Sequence, residues 1–168
     1  MLSNRNLFVN GACRIGQRGS TSLVSGYGGV DRWVQFLGGG ATTTSQDTDV
    51  PTGQGFRNSI KLDVTTALAS GSSNWAWLGQ YIEAQDCQSV CKGTANAKQL
   101  TLQFWVKSSV AQNFYGYLFT EDGAERVYSF ETGSLTADTW TKITKTIPGN
   151  SIVQINNDNG FGLQIYLW

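Results

Sequence analysis

Three stretches of the chain alternate apolar and polar residues with a period of two. In residues 59–65, Ile60, Leu62 and Val64 share one face and Lys61 and Asp63 the other. In residues 100–107, Leu100, Leu102, Phe104 and Val106 oppose Thr101, Gln103, Trp105 and Lys107. In residues 161–168, Phe161, Leu163, Ile165 and Leu167 oppose Gln164, Tyr166 and Trp168. This alternation predicts strands with one buried and one wet face, the habit of antiparallel sheets. Residues 113–120 and 126–131 flank Glu121-Asp122-Gly123-Ala124-Glu125 and read as a hairpin. Residues 139–147 read as another strand, ended by Pro148-Gly149-Asn150, and residues 75–82 as one more. Helical periodicity is nearly absent.

Breakers separate these runs. Gly38-Gly39-Gly40-Ala41-Thr42-Thr43-Thr44-Ser45 reads as a flexible loop. Residues 67–73 read as a loop or a single helical turn, and residues 156–160 as a tight turn before the last strand. We expect about eight to ten short strands and an all-β, antiparallel β-sandwich. The last strand would leave an edge exposed at Trp168 unless a neighbouring subunit covers it or further chain follows. The expected organisation is an N-terminal segment over 1–37, a flexible loop over 38–55 and a sandwich over 56–168.

The 168 residues suffice for one domain with a real core. Twelve basic and twelve acidic residues cancel, so nothing draws the chain as a whole to nucleic acid or an anionic membrane. No apolar run approaches the roughly 20 residues of a membrane span, and the first ten residues are too polar for a signal peptide. We therefore expect folding in a cytoplasm. Histidine is absent altogether. That removes Ser-His-Asp and Cys-His catalysis and imidazole-ligated metals. Cys13, Cys87 and Cys91 are too few and scattered for zinc. They read as reduced thiols, a Cys87–Cys91 bridge being the alternative. Asp47, Asp49 and Asp63 offer oxygens for calcium, but their spacing is not diagnostic. No metal or cofactor is expected. Acid–base work would fall to paired carboxylates. Most of the acids sit in turn-like contexts, with Glu83 alone among apolar neighbours, so no catalytic residue is assigned and the expectation is a protein that is not an enzyme.

The opening stretch, NLFVNGACRIGQRGSTSLVSGYGGVDRW over residues 6–33, carries the densest signal. It has no phosphate-loop spacing and no helix after its glycines. Its arginines are too diluted for a nucleic-acid arm. The set Asn6, Leu7, Asn10, Gly11, Arg14, Ile15, Gln17, Arg18, Gly19, Gly26, Tyr27, Asp31, Arg32 and Trp33 resembles a segment found in many tail-fibre and other virion proteins of tailed bacteriophages. The region after it is similar to the jelly roll of carbohydrate-binding modules, on Ser59 to Val64, Leu102 to Lys107, Thr139 to Lys142 and Ile147 to Gly149. That family's pattern would continue past Trp168 into further strands.

The resemblance implies a virion structural protein: a tail fibre, spike or decoration component. It would assemble in the host cytoplasm as a homotrimer or other symmetric homo-oligomer, contact other virion proteins and attach to a host-surface glycan, without nucleic acid or membrane insertion. The alternatives are a capsid or tail assembly protein with no host ligand, and a glycan-degrading depolymerase or its accessory module. Asn10, Gly11, Arg14, Gln17, Arg18, Asp31, Arg32 and Trp33 are expected to hold the fold or a subunit contact. For a sugar platform the candidates are Trp105, on the wet face of its strand, Tyr115 and Tyr117, which share a parity, and Trp77, which shares one with Trp75.

Overall fold

The computed structural model describes residues 6–19, 21–23, 25–69, 71 and 74–167. Its regular structure is nearly all strand: β1 (Thr21–Leu23), β2 (Ser25–Tyr27), β3 (Val34–Gly38), β4 (Ala41–Asp47), β5 (Ser59–Thr66), β6 (Trp75–Glu83), β7 (Leu100–Val106), β8 (Asn113–Thr120), β9 (Arg126–Ser134), β10 (Thr141–Ile147) and β11 (Phe161–Leu167). One 3-10 helix, Ala84–Val90, follows β6. The antiparallel, all-β expectation holds, and the fold is that of a β-sandwich.

Two compact units divide the chain, one of residues 8–80 and one of residues 81–167 with Asn6 and Leu7. Strand pairing is the reason: β4 pairs with β5, and β3 pairs with β6 through Val34–Gly79 to Gly38–Trp75, which ties residues 41–79 to the opening segment. The loop expected over 38–55 holds a seven-residue strand, β4. Its threonines are β-branched and fit a pleated surface; Thr42 and Thr44 point inward and are buried.

In the unit of residues 8–80, one sheet has the order β1-β4-β5, and β2, β3 and the first part of β6 form another. Val30, Val34, Leu37 and Leu78 are buried, but so are Gln35, Thr42, Thr44 and Gln80. Each of these polar side chains has a partner. Thr42 Oγ1 lies 3.1 Å from Gln35 Oε1, and Thr44 Oγ1 accepts from the Gly29 amide at 3.3 Å. Gln80 donates to the Val9 carbonyl at 2.9 Å and accepts from the Val9 amide at 2.8 Å. Gly29 is required by space: a Cβ there would stand 2.4 Å from the Gly19 carbonyl oxygen and 2.8 Å from that of Thr44. β5 departs from its predicted face. Val64 is 64% exposed, because β5 is the edge of its sheet and a bulge at Ala41/Thr42 shifts the register beside it.

In the unit of residues 81–167, β10 and β7 form a two-stranded ribbon packed against the sheet of β11, β8 and β9. Leu102, Ile143 and Ile147 come from the ribbon, and Leu118, Phe130, Leu163 and Ile165 from the sheet; all are buried. Phe104 and Phe130, one ring from each layer, meet edge-on with centroids 6.2 Å apart. The Tyr128 hydroxyl donates to the Thr146 carbonyl at 2.9 Å and closes the layers at β9 and β10. β11 is not an edge. It stands between β8 and β6, of which Tyr81 to Glu83 belong to this unit. Gln164 and Tyr166, expected to be wet, are buried as well, because side chains of the flanking strands close on them: Tyr81, Tyr117 and Phe119 pack around the Tyr166 ring. Trp168 lies outside the described residues.

Candidate functional site

Residues facing each other across an antiparallel pair point to the same side. The register Ile165↔Leu118 therefore sends these two into the core, and Tyr166↔Tyr117 and Gln164↔Phe119 to the outer face of the sheet. On β9 the same face carries Val127 and Ser129, and further along Tyr115 stands opposite Glu131. The result is an aromatic surface. Tyr117 and Tyr166 stack with centroids 4.7 Å apart and rings 25° from parallel. Tyr81 stands edge-on to Tyr166 at 6.3 Å and packs on Phe161 at 4.5 Å. Tyr117, Phe119, Val127 and Tyr166 line an open, shallow depression of about 350 Å³. Tyr115, 64% exposed, stands on the same face.

Close approach of the strands is enabled at Gly116, where a Cβ would lie 2.6 Å from the Phe130 ring and 2.8 Å from the Tyr166 carbonyl oxygen. β8 and β9 shift register between Asn113 and Tyr115. There Asn113 donates to Glu131 Oε2 at 2.7 Å, setting a carboxylate and an amide beside the exposed ring. Burial pushes the Tyr166 phenol up, reinforced by the neighbouring Tyr81 hydroxyl, by Tyr117 and by the negative charge of Glu121. Burial also raises Tyr117. Both phenols stay neutral over the ordinary pH range, so the face is apolar in its rings and acidic at its rim.

The predicted sugar residues fall on different surfaces. Tyr115 and Tyr117 share the face just described. Trp105 is on the outer side of the β7–β10 ribbon, opposite Lys142. Trp77 belongs to the unit of residues 8–80, where it packs on Phe36 at 4.3 Å and Trp75 at 6.5 Å. Tyr166 and Tyr81 were not anticipated, and Glu121 was read as a turn residue. An aromatic on the polar parity of an alternating strand was the available signal for Tyr166.

The opening segment is a hydrogen-bonded fold of backbone. Asn10, with φ 54°, donates to the carbonyls of Ile15 (2.8 Å) and Asp31 (3.0 Å) and accepts from the Ile15 amide (3.1 Å). Asp31 Oδ1 accepts from the Gln17 amide at 3.2 Å, and Trp33 Nε1 donates to the Asn10 carbonyl at 3.3 Å. Phe8 and Trp33 stack with centroids 6.3 Å apart. Gly11, Arg14, Arg18 and Arg32 are exposed, Arg32 in the left-handed region at φ 74°.

Among the described residues no group of three or more acids or cysteines is arranged to hold a metal ion. Asp63 pairs with Lys61 at 3.0 Å, and Asp47 accepts from the Asp49 amide at 2.9 Å. Cys13, Cys87 and Cys91 are free thiols, so the alternative of a Cys87–Cys91 bridge is not realised. Burial pushes Cys13 and Cys87 up to about 11.

No family model matches the sequence, and no curated protein matches it. Among solved structures, the chain is similar to the enzymatically active domain of tailspike protein 4 of bacteriophage CBA120. The TM-score is 0.50 at 15% identity, over 82% of this chain and 17% of that one. The chain thus spans about a sixth of the length of the structure it matches, and the likeness is one of fold. It overturns the expectation of a protein that is not an enzyme, since the matching structure is an enzymatically active domain.

Proposed function

We propose that the chain is a saccharide-binding domain of a phage virion protein of the tailspike or tail-fibre kind, and that its tyrosine face meets a glycan of the host surface. The protein would be assembled in the host cytoplasm as a symmetric homo-oligomer, a homotrimer by the family resemblance, in contact with other virion proteins. One observation carries the proposal: the Tyr117–Tyr166 stack, with exposed Tyr115 on the same side of an open sheet face. Neutral phenol rings offer flat apolar surface to the C–H face of a pyranose, and Asn113, Glu131 and Ser129 stand on the same strands to take its hydroxyls. The fold likeness to a tailspike domain supports the setting.

That likeness also favours a second reading, in which the domain takes part in cleaving the glycan it holds. Without histidine the chemistry needs carboxylates. Glu121, whose charge is felt at the Tyr166 hydroxyl, and Glu131, opposite Tyr115, are the acids to test.

The experiment is binding of the purified chain to immobilised surface polysaccharide of the host bacterium, with release of reducing ends followed in parallel. Tyr117→Ala and Tyr115→Ala should each weaken binding about tenfold, as loss of a stacking ring does. Glu121→Gln and Glu131→Gln should each abolish any release, and Glu121→Gln should leave binding in place. Folded Tyr115→Ala and Tyr117→Ala proteins that bind like the parent would overturn the tyrosine platform. They would favour an assembly role in which these rings meet another subunit.

A further inference from the structure

We propose that the outer face of the β7–β10 ribbon is a second saccharide site, selective for sugars that carry an anionic group. It rests on the reading of the domain as saccharide-binding, but on a different layer of the sandwich and with opposite charge. Leu100, Leu102, Phe104 and Ile143 turn toward the core, so the register Trp105↔Lys142 and Gln103↔Thr144 places these four on the other side. Gln103, Lys142 and Thr144 are exposed, and Trp105 and Lys107 partly so. Lys107 follows Trp105 by two residues and shares its parity. Its ammonium lies 5.7 Å from the centroid of the Trp140 ring. Two indoles and two lysines thus gather at one end of the ribbon.

No acidic residue occurs in either strand, LTLQFWV or TKITKTI. In a chain with 14% charged residues and no net charge, that is a local concentration of cation. Strand positions i and i+2 stand about 6.6–6.8 Å apart. A ring stacked on Trp105 therefore keeps a carboxylate or phosphate substituent within reach of Lys142 across the ribbon or Lys107 along it. The indole supplies C–H contact and the lysines supply the sign. Indoles and lysines also suit single-stranded nucleic acid. Two cations on a flat ribbon in a neutral chain are a sparse footprint for a polyanion of that density, and an isolated anionic sugar needs no more.

The test is affinity electrophoresis of the full chain in gels containing polygalacturonate, a phosphomannan, neutral dextran or single-stranded DNA. Expected are retardation by at least one acidic polysaccharide and weakening of that binding by added salt. Trp105→Ala should weaken it about tenfold, and Lys142→Gln, a surface change that leaves the ribbon intact, up to about fivefold. The two acidic polymers separate carboxylate from phosphate as the recognised group. Tyr117→Ala should leave binding to the acidic polymers unchanged. No retardation by either acidic polysaccharide overturns the proposal, as does binding indifferent to both Trp105→Ala and Lys142→Gln, or tighter binding of DNA with the same dependence on the two residues. Loss of acidic-polymer binding in Tyr117→Ala alone overturns this site while leaving the tyrosine face standing. The reverse pattern upholds this site and leaves the tyrosine face to its own test on host polysaccharide.

Discussion

The two units of the chain solve the problem of a core differently. In residues 81–167 the interior is apolar: leucines, isoleucines and Phe130 from two layers close on each other. In residues 8–80 the interior is laced with amides and hydroxyls, and Gln35, Thr44 and Gln80 are almost wholly inaccessible. An apolar contact is non-directional and roughly proportional to area, so it supplies bulk stability without specifying register. A buried amide is satisfied only by particular partners, and a wrong partner leaves a costly orphan. The polar interior lies beneath the opening segment, where the chain turns repeatedly without long strands. There Gln80 clamps both backbone groups of Val9 across 71 positions of sequence. These bonds come from side chains on β3, β4 and β6, and there they do the specifying.

Truncating the apolar core should give the largest effect. Ile165 is 1% exposed, and Ile165→Ala should cost about 2–5 kcal/mol of unfolding free energy, measured by urea denaturation. A loss below about 1 kcal/mol would show that the second unit does not depend on its apolar interior. Next comes alkaline pH, which probes one thiol in each unit. Folded Cys13 and Cys87 titrate near 11, against 9.0 for an ordinary thiol. A raised folded value means stability that is whole below pH 9 and lost as pH climbs toward 11. Each thiol accounts for about 2.5 kcal/mol by linkage. The melting temperature should fall over that window, and less so in Cys13→Ala and Cys87→Ala. If those variants fall as steeply as the parent, the thiols are not the cause.

The third effect is smaller and tests the polar interior. Gln80→Ala leaves the Val9 amide and carbonyl without their partner in a part-buried place, at about 1–2 kcal/mol. Its signature should be local. Amide exchange should quicken around Val9 while the second unit is unaffected. Uniform acceleration through both units would erase the distinction drawn between them.

Strands with strict alternation were readable from the chain alone. β7 and β10 lie within a residue or two of where the pattern places them, and β8 and β9 form the hairpin around Glu121-Asp122-Gly123. β4 was not, because Thr42-Thr43-Thr44-Ser45 after three glycines has no hydrophobic member to mark a face; its inward threonines are held by hydrogen bonds instead. Alternation in β11 correctly marked Leu163 and Ile165 but mistook the opposite face for a wet one, since the rings that bury Tyr166, those of Tyr81, Tyr117 and Phe119, come from other strands. Tyr115 and Tyr117 were legible as a pair by parity. Tyr166 was not, for joining it to them requires the pairing of β11 with β8 across some fifty residues. The Asn10 network hangs on a left-handed turn and backbone carbonyls, which a pattern of side-chain types does not register.

The arrangement of thiols has a practical consequence. Cys13 and Cys87 are sealed in the two units, while Cys91, at the end of the 3-10 helix, is partly accessible. A maleimide at neutral pH should therefore attach at one place without any engineered residue. A single gold cluster or fluorophore on Cys91 would leave both candidate sugar faces unmodified, and would let electron microscopy locate the domain on an intact particle.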